Sequence, residues 1–323
     1  MTEENKMDRR SFVKKSIGIS AAAAAALTLE ERILVAAQTT EPSEKSKAPA
    51  KQADRLPTGK IGDLEIGRMI LGGNLVSGYS HSRDLVYVSS LMRKYNTEKK
   101  ILDTMELCEQ QGINAFLSNP TTHTRKMTST YWKERGGKMK WIVDSRPKPE
   151  DIAGHMRPIL DDGAAAIYVN GHWAEQWVKR GMMDKFAEFM EFARANKIPG
   201  GIGSHLLDVP IACEKAGIKP DFYMKTLHSR KYWSAEAARE HDNIWCRKPE
   251  ETIAFMKNVS APWIAYKTLA AGAISPSVGF KYALKNGADF LCVGMFDFQV
   301  KEDVAILNGI LARGIERDRP WRA

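Results

Sequence analysis

From residue 56 onward, short apolar runs alternate with longer amphipathic segments. The longer segments repeat apolar positions at helical spacing, as in residues 182–197, where Phe186, Phe189, Met190 and Ala193 recur at i, i+3, i+4 and i+7. The short runs have the length and the turn-forming boundaries of β-strands. A first strand is predicted at residues 68–71, and seven more follow at residues 114–119, 140–147, 165–172, 200–205, 222–228, 263–269 and 289–295.

This regular alternation predicts an α/β fold with a parallel sheet. Eight strand–helix units within residues 56–323 fit a closed (β/α)8 TIM barrel better than an open doubly wound sheet. No G-x-G-x-x-G follows a predicted strand, which argues against a dinucleotide-binding sheet of the doubly wound kind. Residues 60–66 (KIGDLEI) precede the first strand and are typical of a short β-hairpin. We therefore predict one TIM barrel with a short N-terminal hairpin.

The N-terminal 55 residues have a different pattern. Residues 8–15 read DRRSFVKK, and an alanine-rich run follows that is shorter than the roughly 20 apolar residues of a membrane-spanning helix. This combination predicts a twin-arginine signal at residues 1–37, with cleavage after Val35-Ala36-Ala37. Residues 38–55 are polar and predict a linker. We expect the twin-arginine machinery to export the protein to the periplasm, with no membrane span in the mature chain.

Charge and cysteine content exclude several classes of function. The net charge of +9 is spread along the chain without a run of five like charges, which does not indicate nucleic-acid binding. The four cysteines form no CxxC pair and do not match the spacing of a zinc ribbon or a disulfide scaffold. A globular enzyme that acts on a small molecule remains the simplest expectation.

Polar and ionisable residues follow most of the predicted strands. Because the catalytic groups of a TIM barrel lie at the carboxyl ends of its strands, these positions predict an active site. The positions are Asn74, Asn119, Asp144, Arg146, Asn170, His172, His205, Lys225, His228, Lys267, Met295 and Asp297.

These strand ends suggest three kinds of chemistry. His172, His205 and His228, with Asp144 nearby, could bind Zn²⁺, Mn²⁺ or Fe²⁺, and the alternative is three separate hydrogen-bonded histidines around a polar pocket. Lys225 and Lys267 could stabilise an enolate, form a Schiff base, or simply extend into solvent. Trp173 and Arg146 suit a sugar ring, although packing explains such a tryptophan equally well.

Five stretches resemble the aldo/keto reductase superfamily when taken in order over residues 56–312. They are LPTGKIGDLEIGRMILGGN, ELCEQQGINAF, IYVNGHW, ANKIPGGIGSH and the long run KTLAAGAISPSVGFKYALKNGADFLCVGMFDFQVKEDVAIL. The resemblance implies a TIM barrel in which NADPH supplies a hydride and a tyrosine, assisted by a lysine, protonates the carbonyl oxygen. It also implies a catalytic tetrad of Asp, Tyr, Lys and His.

The tetrad of that family is mostly absent. Its Asp position falls at about Leu117, its Tyr position near Thr122 or His123, and its Lys position at about Asp144, so that only the histidine is kept, as His172. This departure argues against the family's standard reaction.

The resemblance also implies a basic residue that binds the 2′-phosphate of NADP(H). Lys301 is the only candidate, and Asp297 precedes it in the run GMFDFQVKEDV. A carboxylate near a phosphate is unfavourable. We therefore do not expect NADP(H) with this site.

We predict an exported enzyme that acts on a small carbonyl or hydroxyl compound of the sugar or keto-sugar class, as a reductase-related oxidoreductase or as a non-redox lyase or isomerase. His172, Lys267 and Asp144 are the expected catalytic residues, with a divalent metal at the three histidines as an option. The expected substrate-binding residues are Asn74, Asn119, Arg146, Asn170, Lys225 and Trp173. The alternatives are an NADP(H)-dependent oxidoreductase with His123 or Lys267 as the proton donor, and a catalytically silent binding protein.

Overall fold

The computed structural model describes residues 56–235 and 242–323. The predicted signal at residues 1–37 and the predicted linker at residues 38–55 lie outside these ranges. The described residues contain a closed barrel, whose strands neighbour one another in chain order with the last strand paired to the first, and a separate two-stranded sheet that precedes it. All neighbouring barrel strands are parallel, whereas the two strands of the separate sheet are antiparallel. The predicted (β/α)8 TIM barrel with its N-terminal hairpin is confirmed.

The strands and helices follow the predicted alternation along the chain. The strands are β1 Thr58–Ile61, β2 Leu64–Gly67, β3 Met69–Gly72, β4 Ala115–Ser118, β5 Lys140–Ser145, β6 Ala164–Val169, β7 Gly200–Ser204, β8 Phe222–Thr226, β9 Trp263–Tyr266 and β10 Phe290–Val293. The helices are α1 Val88–Tyr95, α2 Glu98–Gln110, α3 Thr122–Glu134, α4 Ile152–Asp161, α5 Gly171–Lys179, α6 Met183–Ala195, α7 Asp208–Lys215, α8 Pro249–Met256, α9 Pro276–Lys285 and α10 Asp297–Ala312. Within the described ranges, no helix is long and apolar enough to cross a lipid bilayer.

Short polar side chains start several of these helices. Thr97 accepts a hydrogen bond from the backbone N–H of Lys100 at the start of α2, and Asp151 accepts one from Gly154 at the start of α4. Such caps satisfy backbone donors that have no partner inside the helix. The caps therefore set where the helices begin after the strand-end loops.

The barrel interior is filled by inward-facing side chains that include Leu117, Tyr168 and Phe222. A Cβ at Gly201 would lie 2.4 Å from the ring of Phe222, so only glycine leaves room for that ring. Ile61 and Ile66 of the hairpin are fully buried and belong to the same core. The hairpin therefore closes the amino-terminal end of the barrel and leaves the carboxyl end open.

The C-terminal tail is fixed to the amino-terminal end of the barrel by a buried ion pair. Arg319 is fully buried, and its Nη1 lies 2.6 Å from Oδ2 of Asp289, the residue before β10. The same guanidinium donates to the carbonyl oxygens of Gly287, Val259 and Ala261. This network holds residues after α10 under the barrel and contributes to its stability.

Candidate active site

A cavity of about 670 Å³ opens at the carboxyl ends of the barrel strands. In a closed parallel barrel, the carboxyl ends of all strands and the loops that follow them lie at the same end. The cavity is therefore lined by residues that are far apart in the sequence. The predicted site residues that line it are Asn74, Asn119, Asp144, Arg146, Asn170, His172, His205 and Lys267.

Lys225 does not line this cavity. Its side chain is buried, and its Nζ donates to the carbonyl oxygen of His205 at 2.7 Å and to Oγ1 of Thr226 at 3.0 Å. Burial lowers the pKa of Lys225 to about 8 because the charged amine is poorly solvated. Lys225 therefore supports the backbone at His205. The prediction that Lys225 binds substrate is wrong, because its side chain does not reach the cavity.

Three further predicted residues lie away from the cavity. Trp173 points its indole N–H to the carbonyl oxygen of Pro147 at 3.1 Å, so it packs against the loop after β5. Lys301 is exposed on α10, and His123 is exposed in the first turn of α3. These positions do not support stacking of a sugar ring on Trp173. They also do not support His123 as the proton donor.

The predicted three-histidine metal site is not formed. His228 donates from Nδ1 to the carbonyl oxygen of Ser229, and its Nε2 accepts the backbone N–H groups of Trp245 and Cys246 at 3.0 and 2.9 Å. Both ring nitrogens are thus used by the backbone, and burial lowers the pKa of His228 to about 4. Among residues 56–235 and 242–323, no group of three or more His, Cys, Asp or Glu side chains could hold a metal ion. His228 instead holds the backbone at Trp245 and Cys246, shortly before α8.

His205 is held by a buried carboxylate that the sequence analysis did not identify. Oε1 of Glu175, on α5, lies 3.2 Å from Nδ1 of His205 and accepts the backbone N–H groups of His205 and Leu206 at 2.6 and 3.0 Å. Burial opposes ionisation of Glu175, but these hydrogen bonds and the histidine keep its pKa below the ordinary value. The pKa of His205 is lowered, first by burial and also by the charge of Lys267.

Asp144 is hydrogen-bonded to the residue that caps α5. The amide nitrogen of Asn170 donates to both carboxylate oxygens of Asp144, at 2.8 and 3.1 Å, while its amide oxygen accepts from the backbone N–H of His172. Burial raises the pKa of Asp144 to about 6, although Asn170 and the charge of Arg146 act in the opposite direction. A carboxyl group of this kind can either donate or accept a proton near neutral pH.

Lys267 stands at the end of β9 in an unusual backbone conformation. Its φ of +57° is in the left-handed region, which non-glycine residues rarely adopt and which is common at functional sites. Its Nζ lies 2.9 Å from Nε2 of His81 and 3.9 Å from the ring centre of Trp245, while Nδ1 of His81 lies 2.9 Å from Asp242. Burial lowers the pKa of Lys267 to about 8. The charges of Asp242 and Glu175 act in the opposite direction. The ring of His81 and the face of Trp245 therefore hold the amine of Lys267 over the cavity.

The cavity also contains strand residues that the analysis of strand ends missed. Tyr168 of β6, Tyr266 of β9 and Cys292 of β10 line it, and burial raises the pKa of each of these groups. A Cβ at Gly171 would lie 3.0 Å from the hydroxyl of Tyr266 and 3.2 Å from Nδ1 of His205, so glycine permits their close approach. The strand alternation could have identified Tyr168, since it shares the inward face with Asn170 two positions later.

Several solved structures share this fold. A proposed aldo-keto reductase from Pseudomonas aeruginosa superposes with a TM-score of 0.56 at 12% identity, over 81% of this chain and 99% of the other. An aldo/keto reductase from Brucella melitensis gives 0.52 at 9% identity, over 80% and 99% of the two chains. An aldo-keto reductase from a deep-sea metagenome library gives 0.51 at 8% identity, over 79% and 94%. No protein-family model matches this chain, and no curated protein matches it. The similarity therefore establishes the (β/α)8 barrel fold alone.

The candidate cation for the 2′-phosphate of NADP(H) is Lys301, as the resemblance implies. Lys301 lies outside the cavity, and the first turn of α10 carries Asp297, whose Oδ2 lies 2.7 Å from Nζ of Lys100. Tyr95 donates a second hydrogen bond to the same carboxylate at 2.6 Å. A phosphate at this helix start would meet an acidic group whose cationic neighbour is already paired.

Proposed function

We propose that this protein is an enzyme that transfers a proton on a small hydroxylated carbonyl compound of the sugar or keto-sugar class, as an isomerase or a lyase. The observation that carries the proposal is the placement of the Glu175–His205 pair beside Lys267 at one cavity. A base and a cation at one rim are the groups needed to remove a proton next to a carbonyl and to stabilise the resulting oxyanion.

His205 serves as the base in this proposal. With Nδ1–H donated to Glu175, the lone pair of Nε2 is available to a ligand in the cavity. Its lowered pKa keeps the ring neutral at neutral pH, so that it can accept a proton. The carboxylate of Glu175 then stabilises the imidazolium that forms, as in other carboxylate–histidine pairs.

Lys267 stabilises the negative charge that develops on the substrate. As His205 takes the proton, the electron pair of the broken C–H bond forms a C=C bond and the carbonyl π electrons move to the oxygen. The ammonium group of Lys267 stabilises that enolate. Return of the proton to the adjacent carbon completes an isomerisation, and departure of a β-hydroxyl as water, with the proton, completes an elimination. Asp144 is suited to moving the proton between substrate oxygens.

Polar side chains around the cavity suit a substrate with several hydroxyl groups. Oδ1 of Asn119 and Oγ1 of Thr268 are buried and have no hydrogen-bond partner within the described parts of the chain, and both residues line the cavity. Hydroxyl groups of a ligand would satisfy these atoms. Asn74 and His172 lie at the same cavity, and the exposed ring of His172 is assigned to substrate contact at the mouth.

The proposed reaction is tested by exchange of carbon-bound hydrogen with solvent. The full chain is incubated in D₂O with dihydroxyacetone, D-fructose and 5-keto-D-gluconate, each with and without NADPH, and followed by proton NMR. Enzyme-dependent loss of the signal next to the carbonyl without NADPH supports the proposal. Product formation only with NADPH consumption supports the oxidoreductase alternative, and saturable binding without exchange or turnover supports a silent binding protein.

We also propose that residues 1–37 direct export through the twin-arginine machinery. Arg9, Arg10 and the alanine-rich run that follows support this proposal. Replacing both arginines by lysine should keep the protein in the cytoplasm, measured by fractionation of expressing cells. An unchanged periplasmic share would contradict the assignment.

A further inference from the structure

Three cationic side chains line the cavity and form no ion pair with a carboxylate in the described parts of the chain. They belong to Arg83, Arg146 and Lys267, and no ion pair to any of them occurs within residues 56–235 and 242–323. Lys267 contacts the neutral ring of Trp245 and a nitrogen of His81, and the guanidinium of Arg83 lies 5.5 Å from the ring centre of Trp233. The field of three cations in a concave wall favours an anion inside.

The one carboxylate of the lining does not neutralise these cations directly. Both oxygens of Asp144 accept from the amide of Asn170, and the guanidinium of Arg146 donates no hydrogen bond to any group within residues 56–235 and 242–323. A planar guanidinium with free donors matches a carboxylate through two parallel hydrogen bonds.

We propose that the substrate of this site is a sugar acid, whose carboxylate is bound by Arg146 and whose hydroxyl groups face the amides of the cavity. This inference rests on the proposed function and names its substrate class. Arg83 contributes long-range attraction from the loop after β3, while Lys267 stays next to the reacting carbonyl. The specificity-determining residue is Arg146.

A carboxylate fits this cavity better than a phosphate. Phosphate groups in TIM barrels commonly bind near the loops after the last two strands, at the start of a helix. Here the helix after the last strand, α10, begins with Asp297, whose carboxylate is paired to Lys100. The cation after the penultimate strand, Lys267, is assigned to the reacting carbonyl in this proposal. The cation left to bind a carboxylate is therefore Arg146, which follows β5 and lies away from that helix start.

Binding of unreactive probes tests the inference by isothermal titration calorimetry of the full chain. The probes are D-gluconate, D-glucose and D-glucose 6-phosphate. We expect D-gluconate to bind at least about tenfold more tightly than the other two, with an affinity that falls as salt increases. Equal affinity for D-glucose, tighter binding of the phosphate, or no binding of D-gluconate would each overturn the inference.

Variants of Arg146 show whether this residue selects the anion. Arg146→Gln should weaken D-gluconate binding by about tenfold to a hundredfold, since a hydrogen bond to a charged group is lost, and Arg146→Lys should recover part of the affinity. Arg180→Gln removes an exposed arginine outside the cavity and should leave the affinity unchanged. Unchanged affinity in Arg146→Gln would contradict the role.

The binding test and the exchange test can fail independently. D-Gluconate has no ketone or aldehyde, so its affinity does not depend on proton transfer. Binding of D-gluconate without any hydrogen exchange would support the anion site and contradict the proposed reaction. Hydrogen exchange on D-fructose without binding of D-gluconate would support the reaction and contradict the inference that the substrate is a sugar acid.

Discussion

Oε1 of Glu175 lies 2.6 Å from the backbone nitrogen of His205 and 3.2 Å from its Nδ1. One carboxylate oxygen therefore fixes both the strand-end backbone and the orientation of the imidazole ring. Glu175 belongs to α5 and His205 follows β7, so the helix after one strand positions the ring at the end of the next strand. The proposed base depends on this contact.

Glu175→Gln should lower kcat with little change in KM. The glutamine retains the size of the side chain but removes the charge that raises the pKa of His205 and stabilises its protonated form. We expect kcat to fall by about tenfold to a thousandfold, as for the loss of part of a general base. Steady-state kinetics on a compound found by the exchange screen would measure this, and a change in KM alone would contradict a positioning role.

Activity should decline as the pH rises through about 8, because Lys267 then loses its proton. Lys267→Met should lose most of kcat over the whole pH range. Lys267→Arg should retain partial activity and move the alkaline decline upward, since guanidinium stays protonated. An alkaline limb that is unchanged in Lys267→Arg would show that another group causes it.

Asp144 should make the free energy of unfolding change with pH between about pH 4 and pH 6. Burial raises its pKa from 3.8 to about 6, so the folded state keeps a proton that the unfolded state has released. Its favourable contribution is complete below about pH 4 and is lost as the pH rises through about 6. Relative to Asp144→Asn, the wild type should therefore become less stable between these values. Urea unfolding at pH 4, 5, 6 and 7 measures the difference, and a constant difference would contradict the shift.

Arg319→Met should destabilise the barrel by roughly 3 to 5 kcal/mol, because it leaves the buried carboxylate of Asp289 without its closest cation. Arg317 lies 3.4 Å from the other oxygen and compensates only in part. Urea denaturation measures the change. Arg313→Gln, in an exposed arginine after α10, serves as the control and should change stability by less than about 0.5 kcal/mol.

The sequence was sufficient for the fold because the barrel depends on repeated local patterns. Each predicted strand overlaps an observed one, and α6 buries Phe186, Phe189, Met190 and Ala193 as the spacing predicted. The same logic predicted that strand-end residues such as Asn170 and Lys267 meet at one cavity. Parallel strands in a barrel make that convergence a consequence of topology.

The roles of individual side chains could not be read from the same pattern. His228 was expected to bind a metal, but its two nitrogens are used by the backbone of a loop that follows it in the chain. The side chain of Lys225 donates to the carbonyl oxygen of His205 and does not reach the cavity. Glu175 lies within a helix, and no sequence pattern there indicates that it contacts His205. Such contacts depend on side-chain direction and loop paths.

The most direct test of the proposed reaction is hydrogen exchange in His205→Asn. Wild-type protein, His205→Asn and the control His155→Asn, which changes an exposed histidine on α4, are incubated in D₂O with the same keto-sugars. Exchange should slow by about a hundredfold to ten-thousandfold in His205→Asn and stay at the wild-type rate in His155→Asn. Equal exchange in all three proteins, with the fold of each verified by circular dichroism, would contradict the assignment of His205 as the base.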